Sequence, residues 1–123
     1  MEKTIQIDGR EVKLKATAAT VLLYRTLLKR DVFKDMMKLQ DNLKKAQNKA
    51  TALDDESYMI IVQMAYVFAK QADKSITSDF VEWLGQFEPM AFMPVLEDVL
   101  KVWAENQTQM SEAKKNSVQM TGK

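Results

Sequence analysis

One apolar segment, Tyr58–Ala69, constrains the fold of this chain more than any other part of its sequence. It is interrupted by a single amide residue, Gln63. A helix that is apolar nearly all round has to be covered on several sides. Acidic residues are typical of a helix N-terminus, and three of them, Asp54, Asp55 and Glu56, precede this segment, so we predict a central helix that begins at Asp54 or Asp55. A membrane span needs roughly 20 apolar residues, which is more than this segment provides.

The N-terminal residues alternate between apolar and polar side chains, which is typical of strands. The runs TIQI and REVKLK are joined by Asp8-Gly9, a dipeptide that tolerates the positive φ angles of a type I′ turn. With Ile7 opposite Arg10, one face of the hairpin carries Ile5, Ile7, Val12 and Leu14, and the other carries Thr4, Gln6, Glu11 and Lys13. A lone hairpin is marginal in water, so we predict that the apolar face of a hairpin over residues 3–15 docks on helices.

Two helices are predicted between the hairpin and the central helix. The first covers Ala16–Arg30, with Thr17 as its N-cap. The second is capped by Asp31. Its predicted apolar stripe consists of Val32, Phe33, Met36, Met37, Leu39 and Leu43. Residues 47–53 form a polar connector.

Two more helices are predicted after the central one. The fourth begins near Ser78 and weakens or ends at Gly85, with Phe80, Trp83, Leu84 and Phe87 as its stripe. A connection punctuated by Pro89 and Pro94 leads to the fifth, which has Leu96, Val99, Leu100 and Trp103 at core spacing. We therefore predict a small single domain, mainly α, with about five helices and an N-terminal β-hairpin over residues 1–105. Residues 106–123 are polar and aperiodic and predict a disordered tail.

The composition argues against an enzyme. The chain lacks histidine and cysteine, which removes the usual general base, the usual zinc ligands and the common nucleophile pairs. None of its three glycines lies in a phosphate-binding pattern. The carboxylates Glu82, Glu88, Glu97 and Asp98 are interpreted as solvated helix faces. We expect no catalytic, metal or cofactor site, and the N-terminus has no signal-peptide pattern.

A line of lysines on the second helix allows two interpretations. Lys34, Lys38, Lys45 and Lys49 fall near one line, which Asp41 interrupts. They form either a solvated face or a basic stripe for an acidic partner or nucleic acid. The solvated face is favoured because no aromatic residue interleaves the lysines, and the net charge of +1 provides no general attraction to nucleic acid. Nine methionines favour core filling over a surface for varied apolar partners.

The segment YRTLLKRDVFKD, residues 24–35, places charges within a leucine-rich pattern. Arg25 borders the apolar face of the first helix, where its guanidinium needs a carboxylate or carbonyl partner. Asp31 or Asp35 is a natural partner, which would fasten the first helix to the second. The alternative is that Tyr24 and Arg25 are presented to a partner protein.

The order of these features resembles a known family. Asp8-Gly9 in a hairpin is followed by KATAAT, then Tyr24-Arg25, then RDVFKD at residues 30–35. This order is similar to that of the tail assembly chaperones of long-tailed phages and prophages of Gram-positive bacteria. The resemblance covers residues 5–35. The family often has an aromatic residue and a glycine where this chain has Leu28 and Lys29.

The resemblance implies a role in viral morphogenesis. Such chaperones bind the tape measure protein in the cytoplasm of the bacterial host and keep it soluble until the tail tube protein polymerises around it. They are absent from the mature virion. A longer product of programmed ribosomal frameshifting, which Lys114–Asn116 could accommodate here, is thought to recruit tail tube subunits. Self-association is left open. The partner-binding residues implied by the resemblance are Tyr24, Arg25, Arg30, Asp31, Phe33 and Asp35.

Two other classes of protein remain as alternatives. The first is a small helical regulatory or nucleic-acid-binding protein that uses the lysine stripe. Salt-sensitive binding to DNA or RNA would favour it. The second is a structural tail or connector subunit, which would be found in purified particles.

Overall fold

The computed structural model describes residues 2–47 and 54–105. It confirms a small, mainly α domain of five helices behind an N-terminal antiparallel hairpin. In chain order the elements are β1 (Glu2–Ile7), β2 (Arg10–Lys15), α1 (Thr20–Leu28), α2 (Val32–Lys45), α3 (Asp55–Ala72), α4 (Phe80–Leu84), a 3-10 turn (Met93–Val95) and α5 (96–105). The predicted tail and all but the first residue of the predicted connector lie outside the described residues.

The hairpin has the predicted register. Asp8 and Gly9 have φ angles of 56° and 76°, as a type I′ turn requires, and Ile7 lies opposite Arg10. On the apolar face Ile5, Ile7 and Leu14 are buried and Val12 is half-buried, whereas the other face is exposed. The buried face packs on α3, which supplies the support that an isolated hairpin lacks.

Helix α3 is the centre of the domain, as its apolar sequence predicts. The Asp54 side chain caps it by accepting a hydrogen bond from the backbone N–H of Ser57 at 2.9 Å. The helix contacts β2, α1, α2 and α4. Its buried residues are Ser57, Ile60, Ile61, Val62, Met64, Ala65, Tyr66, Val67, Phe68 and Ala69. Within the described part of the chain, no helix has the length and apolarity needed to cross a bilayer.

The predicted start of α1 is wrong. The helix begins at Thr20 rather than Ala16, and Thr17 is not its N-cap. Thr17 and Thr20 instead form a turn, in which the Thr17 backbone N–H donates to Thr20 Oγ1 and the Thr20 N–H donates to the Thr17 carbonyl, both at 3.0 Å. Gln71 of α3 bonds to both hydroxyls. Side-chain bonds of this kind compete with helix formation and delay it by one turn.

Helix α1 ends at an unusual backbone conformation. Lys29 has φ 58° and ψ 36°, and its N–H donates to the carbonyl of Arg25 at 2.9 Å. This left-handed conformation is the one that glycine adopts with least strain at a helix C-terminus. In this chain the helix ends in that conformation with a lysine rather than a glycine.

Lys29→Gly should therefore stabilise the domain. We expect the free energy of unfolding in urea to rise by about 0.5–1 kcal/mol, since relief of the left-handed strain exceeds the added entropy of the unfolded chain. Thr26→Gly is the matched control on the exposed face of the same helix. It should lower the free energy of unfolding by about 0.5 kcal/mol. A loss of stability in Lys29→Gly would contradict the prediction.

Helix α2 begins as predicted, but its apolar stripe is narrower. Asp31 Oδ1 accepts hydrogen bonds from the N–H groups of Phe33 and Lys34 at 2.9 and 3.3 Å. Val32, Met36 and Leu39 are buried and Leu43 is half-buried. In contrast, the side chains of Phe33 and Met37 are 48% and 67% exposed. The prediction that these two residues belong to the apolar stripe that packs on the rest of the domain is therefore wrong.

The C-terminal half closes the core with aromatic rings. The Asp79 side chain caps α4 by accepting the N–H of Glu82 at 2.8 Å, and Gly85 ends the helix. Trp83 is buried, and its ring centroid lies 5.2–5.7 Å from those of three neighbours, Tyr66, Phe87 and Phe92. Leu96, Val99 and Trp103 of α5 are buried and Leu100 is half-buried, as predicted.

Candidate functional site

Three residues of the family-like segment meet in a buried polar network between α1 and α2. Arg30 and Asp35 form a bidentate ion pair, in which Nε donates to Oδ2 at 2.8 Å and Nη2 donates to Oδ1 at 2.7 Å. The Tyr24 hydroxyl donates to Asp35 Oδ2 at 2.7 Å. Tyr24 is fully buried and the Asp35 side chain is 7% exposed, whereas that of Arg30 is 44% exposed. The network thus fastens α2 to the turn that precedes it and to α1.

The electrostatics of this network favour an ionised Asp35. Burial alone would raise the pKa of its carboxyl group, but the hydrogen bonds from Arg30 and Tyr24 outweigh burial and hold the pKa below its ordinary value of 3.8. Burial raises the pKa of the Tyr24 hydroxyl, and its bond to Asp35 raises it further. The Tyr24 hydroxyl therefore keeps its proton near neutral pH and remains a hydrogen-bond donor to Asp35. We interpret the network as a structural link between α1 and α2 rather than an acid-base pair.

Arg25 does not have the predicted role. It is exposed, and among the described residues it forms no ion pair with Asp31 or Asp35. The left-handed turn at Lys29 brings Arg30 to Asp35 instead. Presentation of Tyr24 to a partner is also contradicted, because its side chain has no exposed surface. A Tyr24→Ala variant would test folding rather than partner contact.

Gln63 is a member of this network that the sequence pattern alone does not identify. It is the single amide in the apolar segment of α3, and its Oε1 lies 3.2 Å from the Tyr24 hydroxyl. A polar residue in an apolar helix normally has a buried partner. That rule signals a partner for Gln63, but the fold is needed to identify it as Tyr24, 39 residues away.

Phe33 and Met37 form the exposed apolar part of α2, which we call the α2 surface. They lie one turn apart on the same side of the helix. The rings of Phe33 and Trp103 of α5 pack in a T-shaped arrangement with centroids 6.3 Å apart. Trp103 Nε1 is the one buried side-chain nitrogen or oxygen atom of the described residues without a hydrogen-bond partner. This corner therefore combines exposed apolar area with an unused donor.

The stretch of chain that contains the α2 surface has an excess of positive charge. Residues 20–47 contain seven lysines and arginines against three aspartates, whereas residues 54–105 contain three lysines against ten acidic residues. The predicted lysine stripe is broken, because Lys38 is ion-paired with Glu56. Lys34 and Lys45 are exposed, and Lys49 lies outside the described residues. Positive charge thus flanks the α2 surface without forming a continuous track.

The acidic residues considered for chemistry are dispersed. Glu82, Glu88 and Glu97 are exposed, and Asp98 pairs with Lys3 at 3.3 Å. In residues 2–47 and 54–105, no group of three or more carboxylates is arranged to hold a metal ion.

No protein-family model matches the chain, and no curated protein or solved structure is significantly similar to it.

Proposed function

We propose that this chain is a tail assembly chaperone of a long-tailed phage or prophage and acts without catalysis. In this proposal it binds the tape measure protein in the cytoplasm of the bacterial host and is absent from the mature virion. A longer frameshifted product recruits tail tube subunits. The proposal rests on the resemblance over residues 5–35, and one structural observation carries it further. The α2 surface leaves Phe33, within that segment, and Met37, just beyond it, exposed and available for a partner.

The chemistry of the α2 surface suits a helical client. A tape measure protein exposes apolar helix stripes before assembly, and such stripes aggregate unless they are covered. Phe33 and Met37, spaced by one turn, can pack against the apolar stripe of a client helix. Arg25, Lys29 and Lys34 add positive charge, so we expect acidic residues beside the client's apolar stripe.

A double substitution on the α2 surface tests this proposal. Phe33→Ser with Met37→Ser should weaken binding to the purified client at least about tenfold, because exposed anchors at an interface contribute about 1–2 kcal/mol each. The proposal predicts a long helix-rich client protein encoded beside this chain, and its binding is measured by calorimetry. The net charge is unchanged by the substitutions.

Val81→Ser is the matched control for the double variant. Val81 is 75% exposed on α4, so its substitution also removes an apolar surface side chain but should leave client binding intact. Circular dichroism should show the same helical content in all three proteins. Undiminished binding by a folded double variant would show that the α2 surface is not the client-binding site.

The nucleic-acid alternative has weaker support. Its lysine stripe is interrupted both by Asp41 and by the Lys38–Glu56 ion pair. Strong loss of affinity with rising salt would be its signature. The alternative of a structural virion subunit would be favoured by the presence of the chain in purified particles.

A further inference from the structure

A second candidate surface lies between β2 and the chain that follows α3. It is an open cleft of about 720 Å³. One wall is formed by four consecutive residues of β2 and the other by the loop after α3. The lining on the β2 side consists of Arg10, Glu11, Val12 and Lys13, and the facing wall includes Asp73, Ser75, Ile76, Thr77 and Ser78.

The cleft runs along the edge of β2 rather than over one face of the hairpin. Consecutive side chains of a strand point to opposite faces. Arg10 and Val12 share the buried face with Ile7, whereas Glu11 and Lys13 belong to the exposed face. A cavity lined by all four must therefore border the strand's backbone edge.

The register shows which backbone groups face the cleft. In a hairpin with a two-residue turn, the residues beside the turn exchange both of their hydrogen bonds, and the pattern then alternates. Ile7 and Arg10 form that first pair, and Ile5 and Val12 form the next bonded pair. The N–H and C=O groups of Glu11 and Lys13 consequently point away from β1. Among the described residues these groups have no hydrogen-bond partner.

The rest of the cleft combines an apolar floor with charges of both signs. Val12, Ile76 and Phe87 are half-buried along it. The Arg10 guanidinium lies 5.7 Å from the centre of the Phe87 ring and donates a hydrogen bond to Gln86. The exposed side chains of Glu11 and Lys13 carry opposite charges beside the edge. An occupant therefore needs unpaired backbone groups, an apolar side chain towards the floor and polar side chains towards solvent.

We propose that the cleft binds an extended peptide segment of another protein, which adds to β2 as a third, antiparallel strand. Four residues of extended chain cover about 13 Å, the length of edge that lines the cleft. In every copy of the chain, the loop after α3 stands opposite the β2 edge. The β2 edge of a second copy therefore cannot enter the cleft, whereas an unfolded segment can. Charge complementarity specifies the core of the segment as acidic–apolar–basic, with its acid opposite Lys13 and its base opposite Glu11.

The test is a titration of the full ¹⁵N-labelled chain with a short synthetic peptide whose core is Asp-Val-Lys, followed by nuclear magnetic resonance. The amide signals of Glu11 and Lys13 should shift, and their hydrogen exchange should slow. A peptide with the reversed core Lys-Val-Asp should bind roughly two- to fivefold more weakly. Absence of binding by both peptides up to about 1 mM, or shifts that avoid β2, would overturn the proposal.

Matched proline variants separate edge pairing from general disruption of the hairpin. Lys13→Pro removes an outward-facing donor and should abolish binding, whereas Thr4→Pro makes the same change on the opposite edge and should retain it. Thr77→Trp, at an exposed residue of the cleft, should block binding without altering either strand. Peptide binding that survives Thr77→Trp and Lys13→Pro would overturn the proposal. Slow exchange of the Glu11 and Lys13 amides without peptide would also overturn it, because the chain's own residues would then occupy the edge.

Discussion

Trp83→Ala should lower the free energy of unfolding by about 4 kcal/mol. The Trp83 side chain is 3% exposed, and rings from α3 and from the segment after α4 surround it. Rigid aromatic neighbours collapse poorly into the space that a deleted indole leaves, so most of the cavity cost is retained. Since domains of this size are stable by about 5–15 kcal/mol, the loss is a large fraction of the total.

Urea unfolding followed by circular dichroism measures this effect. Val81→Ala, two residues away on the same short helix, is the control, because Val81 is 75% exposed. It should change the free energy of unfolding by less than about 0.5 kcal/mol. A loss below about 1 kcal/mol in Trp83→Ala would mean that the aromatic cluster does not close the core as described.

Asp35→Ala should have the next largest effect, a loss of about 2–3 kcal/mol at neutral pH. The substitution leaves the buried Tyr24 hydroxyl without its closest acceptor and removes the carboxylate that is ion-paired with Arg30. Arg30 is partly exposed and can turn to solvent, which keeps the loss below that of a fully buried pair. Asp41→Ala, at an exposed aspartate of the same helix, should change stability by less than about 0.5 kcal/mol.

The effect of Asp35→Ala should also depend on pH in a defined direction. The folded pKa of Asp35 lies below its ordinary value of 3.8, so its ionised form is favoured by folding. Its contribution is complete above pH 3.8 and is lost as the pH falls through the folded pKa. The stability difference between the wild type and Asp35→Ala should therefore shrink below pH 3.8. A difference that stays constant as the pH falls well below 3.8 would rule out this role of the Asp35 network.

Local signals in the sequence are sufficient for much of this fold. Asp8-Gly9 fixes the hairpin register because one turn type fits the strand twist. Asp31 and Asp54 mark helix starts because the carboxylate of each accepts a hydrogen bond from a backbone N–H two or three residues further along the chain. The central position of α3 follows from its apolar circumference.

Features that depend on distant residues were not predictable in the same way. Thr17 looked like a helix cap, but its hydroxyl accepts from Gln71, 54 residues away. The sequence favours Arg25 as the partner of Asp31 or Asp35. In the structure, the left-handed turn at Lys29 places Arg30 beside Asp35 instead. The cleft beside β2 is formed by segments about sixty residues apart, so no local pattern indicates it.

The candidate surface was predicted only in part. The sequence identifies segment 24–35, and the resemblance implies both Tyr24 and Phe33 as partner contacts. Periodicity, in contrast, places Phe33 and Met37 on the apolar stripe of the second helix. In the structure Tyr24 bonds inward to Asp35, whereas Phe33 and Met37 remain exposed. The helical period predicts which side of a helix is apolar, but it does not predict how much of that side neighbouring elements cover.

The soluble fraction of the client tests the chaperone proposal most directly. The proposal predicts that a long helix-rich protein, the client, is encoded beside this chain. This client is expressed alone, with the wild-type chain, and with the Phe33→Ser and Met37→Ser double variant, and each lysate is fractionated by centrifugation. The proposal predicts a client that is mostly insoluble alone, mostly soluble with the wild-type chain, and again insoluble with the double variant. A client whose soluble fraction is unchanged by an abundant, folded wild-type chain would contradict it.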